Sequence, residues 1–293
     1  MRGKRVLVTG ATTGIGRVTA VELGRAGAEV IIVARDRDKA AATLAELAAA
    51  GAPPAQALYA DLSLTSSVRA LAAEAREKFD RIDVLVNNAG AIFGSRALTA
   101  EGFERTFALN HLSYFLLTNL LLDRIPSGGR IVNVSSEAHK PAKVDFDDLQ
   151  LERRYTAFGA YCLSKLMNLL FTFELARRVQ ARGITVNAAH PGPVASNFGR
   201  SNRGFFGALF ALAGPFMLTP EKGARTQIWL ASSPDVEGVT GKYFAKCREK
   251  KPSARALDEA TQRRLWDATA QLVGLTPLSP SAAHGNNAET HRA

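Results

Sequence analysis

Residues 8–17 read "VTGATTGIGR", and this stretch decides the fold. Ahead of it, "RVLVT" (5–9) is a short, β-branched apolar run, and a helix-length stretch (14–26) begins inside it. Gly10, Gly14 and Gly16 stand in a GxxxGxG spacing rather than GxGxxG. The physics of the two spacings is similar: glycine permits the tight turn, and the missing side chains let backbone N–H groups at a helix N-terminus approach a diphosphate. The plain alternative is a generic glycine-rich turn. The strand–turn–helix context at the start of an alternating α/β pattern favours a dinucleotide cradle instead. Gly10, Thr12, Thr13, Gly14, Ile15 and Gly16 are therefore candidate cofactor-binding residues.

Outward from the loop, "EVIIVA" (29–34), "AQALYA" (55–60), "VLVNN" (84–88), "RIVNVSS" (130–136) and "ITVNAAH" (184–190) are apolar with little alternation, the pattern of strands buried on both faces. Helix-length stretches separate them at 36–50, 65–79, 101–122 and 158–182, with Asp36 and Thr65 as candidate caps. The expectation is an α/β fold: a single Rossmann-type, doubly wound parallel sheet with helices on both faces and ligands at the strand C-termini. Residues 1–275 read as one NADP-binding domain, and 276–293 as a polar, disordered tail. The nearly uncharged run "GFFGALFALAGPFMLTP" (204–220) is too short, and too broken by Gly214 and Pro215, to span a bilayer as a helix. It reads as a core helix, a substrate lid (about 195–220) or a peripheral membrane contact, with the lid favoured.

The end of the second strand selects the dinucleotide. An acidic group there binds an unphosphorylated ribose and repels a 2′-phosphate. The sequence is "IIVARDRDK": Asp36 lies at about the expected spacing for that acid, yet it also suits the N-cap of the next helix. Arg35 and Arg37 offer guanidinium forks for a phosphate. NADP is favoured over NAD.

"AYCLSK" (160–165) sets Tyr161 and Lys165 four apart, on one helix face. A half-buried Tyr beside a snorkelling Lys is the plain explanation. The chemical one is an acid/base: a cation at about 4 Å and an effective dielectric of 20 stabilises a phenolate by about 4 kcal/mol before desolvation, which lowers a pKa of about 10 by a few units. Asn110 falls inside an apolar stretch, where an amide is costly unless paired.

"TGATTGIG", "ADL" (60–62), "NNAG" (87–90), "NHLSYF" (110–115), "IVNVSS" (131–136), "YCLSK" (161–165) and "HPGPV" (190–194) occur in the order of the short-chain dehydrogenases/reductases. The resemblance spans roughly residues 4 to 272, and "AYCLSKLMNLLFTFELARR" and "TGKYFAKC" are similar to the retinol dehydrogenase-like branch. It implies a catalytic tetrad of Asn110, Ser136, Tyr161 and Lys165, with Ser135 as the rival serine. It further implies Asp61 and Leu62 at the adenine, Asn88, Ala89 and Gly90 along the adenosine side, and Pro191, Gly192 and Val194 beside the nicotinamide. Tyr161 and Lys165 would also touch the cofactor. The implied activity is hydride transfer between nicotinamide and a lipophilic alcohol or carbonyl, with Phe93 and Phe158 as pocket walls. The alternative from another class is an NADP(H)-sensing binding protein without turnover.

Other features narrow the field. The N-terminus has no apolar segment of the signal-peptide kind, and two cysteines are too few for a disulfide framework, so a reducing, cytoplasmic setting is expected. The net charge of +10 suggests an anionic partner. No nucleic-acid signature or zinc-ligand spacing accompanies it, so neither nucleic acid nor metal is expected. The chain reads as a monomer or a homodimer.

Overall fold

In the computed structural model, residues 1–194 and 218–276 are described. Nearly all of the expected lid and all but the first residue of the expected tail therefore lie outside the described residues.

A single eight-stranded sheet runs in the order β3-β2-β1-β4-β5-β6-β7-β8. Its strands are β1 (Arg5–Thr9), β2 (Glu29–Ala34), β3 (Gln56–Tyr59), β4 (Val84–Asn87), β5 (Arg130–Val134), β6 (Thr185–His190), β7 (Lys242–Ala245) and β8 (Arg248–Glu249). All neighbours pair in parallel except β8, which runs antiparallel to β7. The expected parallel sheet is thus present, extended by a C-terminal hairpin. Burial on both faces comes from simple alternation: Leu7 and Ile31 join the core on one side, while Val6, Val8, Val30 and Ile32 join the core on the other.

The helices are α1 (Gly14–Arg25), α2 (Arg37–Ala49), α3 (Thr65–Lys78), α4 (Arg105–Phe107), α5 (Ser113–Leu121), α6 (Ala157–Val179), α7 (Pro220–Ser232) and α8 (Glu259–Leu272). Asp36 caps α2 as expected, accepting from the Asp38 and Lys39 N–H groups. Thr65 is not a cap. It is the first helical residue of α3, and Glu101 reaches from another loop to accept from the Thr65 and Ser66 N–H groups at 2.6 and 2.9 Å. The helix expected over 101–122 starts later, because Glu104 caps α4 through the Thr106 and Phe107 N–H groups. A π-helical turn, Ala108–Leu112, then joins α4 to α5.

α6 is buried along almost its whole length. One side meets the sheet, and α8 lies on another, with Leu265, Trp266, Thr269 and Ala270 buried. Trp266 packs edge-on to Phe115 and stacks on Phe171, with ring centroids 4.8 and 5.9 Å apart.

The strand order reverses between β1 and β4. That reversal opens a crevice at the strand C-termini.

Candidate active site

The crevice is a cleft of about 1280 Å³. It is lined by Gly10, Thr12, Thr13, Gly14, Ile15, Gly16, Arg35, Asp61, Leu62, Asn88, Ala89, Gly90, Tyr161, Lys165, Pro191, Gly192 and Val194, so every expected cofactor residue converges there.

The glycine loop can take a diphosphate. Gly10 has φ +65°, and a Cβ on it would come 2.8 Å from Ala89 Cα. A Cβ on Gly16 would lie 2.2 Å from the Gly10 carbonyl oxygen and 2.3 Å from Asn88 Nδ2. Thr13, the N-cap of α1, makes no side-chain cap, which leaves the first-turn N–H groups of α1 without a side-chain oxygen from that residue. Such a helix start suits an anion. Asn88 lines the cleft, but its amide holds the loop: Nδ2 donates to the Thr9 carbonyl at 2.9 Å, and the Asn88 and Ala89 N–H groups donate to Thr9 Oγ1.

At the end of β2, Arg35 lines the cleft, whereas Arg37 stacks on Tyr59 with its guanidinium 4.2 Å from the ring centroid. Of the two expected forks, only Arg35 faces the site. Burial works against the charge of Asp61, but hydrogen bonds from Ser63 and the charges of Arg35 and Arg105 prevail, holding its carboxyl below the usual range.

Ser136, Tyr161 and Lys165 meet where β5 ends beside the first turns of α6. Ser136 hydrogen-bonds Tyr161, and its Oγ also accepts from the Ala138 N–H at 3.2 Å. Ser135 also borders the cleft, but its Oγ is engaged with α6, donating to the Lys165 carbonyl oxygen at 2.8 Å. The alternation of neighbouring residues thus separates the two serines as expected. Lys165 Nζ donates to the Val134 carbonyl at 3.0 Å and lies 5.5 Å from the Tyr161 ring centroid. Asn110, on the π-helical turn, is fully buried and does not line the cleft. Its Oδ1 accepts from the Ala91 N–H at 2.9 Å, and its Nδ2 donates to the Ala91 carbonyl and to Ser164 Oγ at 3.0 and 3.1 Å. The amide is paired, as its cost of burial requires.

One expectation is corrected. Burial pushes the Tyr161 phenol up to about 12, with the Ser136 hydrogen bond pulling the other way, and burial brings the Lys165 ammonium down to about 7. Within the protein alone, desolvation is the largest influence on both groups and acts against the charged form of each.

Sequence reasoning missed Arg105, Leu109 and Ala138, which also line the cleft. The Arg105 guanidinium sits 4.1 Å from the centroid of Phe93. Its only sequence signal was a helical register that the π-helical turn shifts. Phe93 and Phe158 also line the cleft, as expected. Among the described residues no cluster of three or more His, Cys, Asp or Glu could hold a metal ion, and no helix is long and apolar enough to cross a membrane.

A glycine-cradled crevice backed by a Ser–Tyr–Lys cluster agrees with the comparisons to known proteins. Residues 4–204 match the sequence profile described as short chain dehydrogenase, and the chain belongs to that family. Within it the chain falls in the retinol dehydrogenase-like branch: it is 45% identical to retinol dehydrogenase 14 of Mus musculus over 94% of this chain and 87% of the relative. Among solved structures, an uncharacterized protein from Mycobacterium paratuberculosis matches with TM-score 0.77 and 35% identity, over 94% of this chain and 95% of that one. The Pseudomonas aeruginosa RhlG/NADP active-site complex matches with TM-score 0.67 and 30% identity, over 87% and 97%. The chain is thus a hydride-transfer oxidoreductase acting on alcohol or carbonyl groups with a nicotinamide cofactor.

Proposed function

We propose that the chain is an NADP(H)-dependent dehydrogenase/reductase for a lipophilic alcohol/carbonyl pair. The observation that carries this reading is the Ser136–Tyr161 hydrogen bond with Lys165 one turn further along α6, all bordering a cleft that Arg35 also lines.

When bound, the nicotinamide supplies or accepts the hydride. The loop from Gly10 to Gly16 would hold the diphosphate, and Arg35 would meet a 2′-phosphate. Asp36 is turned into the α2 cap, and Lys39 pairs with it at 3.2 Å and offsets its charge. The solved Pseudomonas aeruginosa RhlG complex, which holds NADP, supports the same preference.

Ser136 Oγ holds the substrate oxygen, and Tyr161 gives that oxygen its proton during reduction or removes it during oxidation. Lys165 in its protonated form supports the phenolate that forms when the proton leaves. Asn110 fixes Ala91 on the cleft wall and Ser164 on α6, tying the two walls together. A sensor without turnover would need only the glycine cradle.

Phe93, Leu109 and Phe158 in the cleft lining support a lipophilic substrate. The printed name of the mouse relative makes retinal the first carbonyl to try. The reading includes a reducing, cytoplasmic setting, supported by two free cysteines, which cell fractionation tests. NADPH fluorescence followed over a panel of aldehydes, ketones and all-trans-retinal tests the activity. Oxidation by at least one lipophilic carbonyl is expected, and none by any would end the proposal.

A further inference from the structure

A buried imidazole stands directly behind Ser136. His139 is fully buried at the end of the turn Glu137–His139, which Ser136 itself caps. Its Nδ1 lies 2.6 Å from the Ser136 carbonyl oxygen, an acceptor, so Nδ1 carries a proton and donates. Its Nε2 accepts from the Ser253 N–H at 3.0 Å, so Nε2 carries none. The two partners therefore require one neutral tautomer. Ser253 belongs to the segment between β8 and α8, far from Ser136 in sequence.

We propose that His139 is a positioning residue for Ser136: its neutral ring clamps the serine's backbone to the 250–257 segment and so fixes where Oγ meets the substrate oxygen. This rests on Ser136 being the group that anchors that oxygen. The Ser136 carbonyl also accepts from the His139 N–H at 3.1 Å, and Glu137 pairs with Lys250; the ring adds the hydrogen-bonded link from that carbonyl to Ser253. Ser136 has extended backbone, φ −160°, and its Oγ already accepts from Ala138 N–H, so the turn and the ring together set its direction.

The arrangement works only while the ring is neutral. An imidazolium would place an Nε2–H against the Ser253 N–H, two donors facing one another. The groups around the ring act in both directions. Glu137 on the same turn favours the cation, while Lys140 and Lys250 oppose it. Glu137 is engaged by Lys140, by Lys250 and by the Tyr243 hydroxyl from β7, which donates to its Oε1 at 2.9 Å. The Tyr243 ring meets His139 edge-on at 5.5 Å, and His190 at the end of β6 lies on the other side of Tyr243. Burial is the largest influence and keeps His139 below the ordinary histidine range. Turnover should accordingly carry an acid limb that belongs to this ring.

The test compares His139→Asn, His139→Gln and His139→Ala, with NADPH and all-trans-retinal or the fastest aldehyde of the panel. An Asn amide can place its NH2 near the Nδ1 position and donate to the Ser136 carbonyl, whereas a Gln amide reaches the Nε2 position instead. The expected result is a fall in kcat of about 10- to 100-fold for Ala and Gln, the scale of a misplaced reacting group. NADPH KM should be little changed, and Asn should restore most of the loss. His139→Asn should also lack the acid limb. Equal kcat for all three variants, whether high or low, overturns the proposal. Glu137→Gln is the independent arm: it removes the carboxylate that favours the imidazolium and leaves the ring and both its hydrogen bonds in place. The acid limb should move to lower pH, and an unmoved limb overturns the proposal even if the His139 variants fail to fold. Ser136→Ala separates the two readings. If it keeps full turnover, the anchor role of Ser136 fails and this inference with it. If it is inactive while His139→Ala is fully active, only the inference about His139 fails.

Discussion

Arg35 Nη1 stands 3.8 Å from Asp61 Oδ2 across the rim of the cleft. The arginine is about three-quarters exposed, so the pair adds little to stability. Its value lies in placement, since a cation is kept at the strand end where an unphosphorylated ribose would call for an acid. The acid that could have filled that role, Asp36, caps α2 instead.

Cofactor choice should follow from that placement. Arg35→Ala is expected to raise the NADPH KM at least about tenfold, the loss of one charge-assisted contact of about 1.5 kcal/mol or more, with little change for NADH. Asp36→Ala should lower the melting temperature slightly and leave the NADPH preference intact. Steady-state kinetics with both cofactors checks the pair of variants, and equal effects of Arg35→Ala on the two would count against NADP specificity.

Removing the phenol tests the chemistry directly. Tyr161→Phe should reduce kcat by roughly 10²–10⁴, the usual cost of losing a general acid or base. NADPH titration by fluorescence should still show binding, because the glycine cradle is untouched. Near-normal turnover would take Tyr161 out of the mechanism.

The loop tolerates no side chain at its centre. A methyl on Gly16 would meet the Gly10 carbonyl and the Asn88 amide well inside contact distance, and the latter is one of the bonds that hold the loop. Gly16→Ala should lower thermal stability and weaken NADPH binding together, in calorimetry and in fluorescence titration. Binding at wild-type strength would show that the loop moves more freely than its packing implies.

Acid stability should carry the signature of Glu101. Burial opposes its charge, but hydrogen bonds from Ser66 and Thr65 hold its carboxyl at about 2, against 4.5 ordinarily. A carboxyl lowered on folding stabilises above its unfolded pKa, and that contribution is lost as pH falls from about 4.5 toward 2. Glu101→Gln should therefore cost stability at neutral pH and flatten the decline over that window. Urea unfolding at a series of pH values measures both, and parallel curves would refute the assignment.

What could be read from the chain alone was what is local. The glycine loop, the β-branched strands and the four-residue step from Tyr161 to Lys165 are short-range patterns, and each has its expected place. The β7–β8 hairpin was not legible, because its turn puts Lys246 and Cys247 at φ +52° and +56°. Glycine or asparagine usually marks such a turn, and neither stands there. The capping of α3 and the start of α4 were missed for a related reason: glutamates, one of them from a distant loop, satisfy their first N–H groups, where Ser, Thr, Asp or Asn is the usual signal. The effect of burial on Tyr161 and Lys165 also escaped, since spacing reveals that two groups are near but not how little water surrounds them.

The placement of α8 against α6 reaches beyond the cleft. A long helix with apolar residues on nearly every side would ordinarily have to find company in another molecule; here the chain's own last described helix, with Trp266 wedged between Phe115 and Phe171, already keeps it company. A polypeptide ending at Asp258 would thus lose far more than an appendage: it would bare a greasy seam beside the reacting groups and would be driven to clump with its own kind.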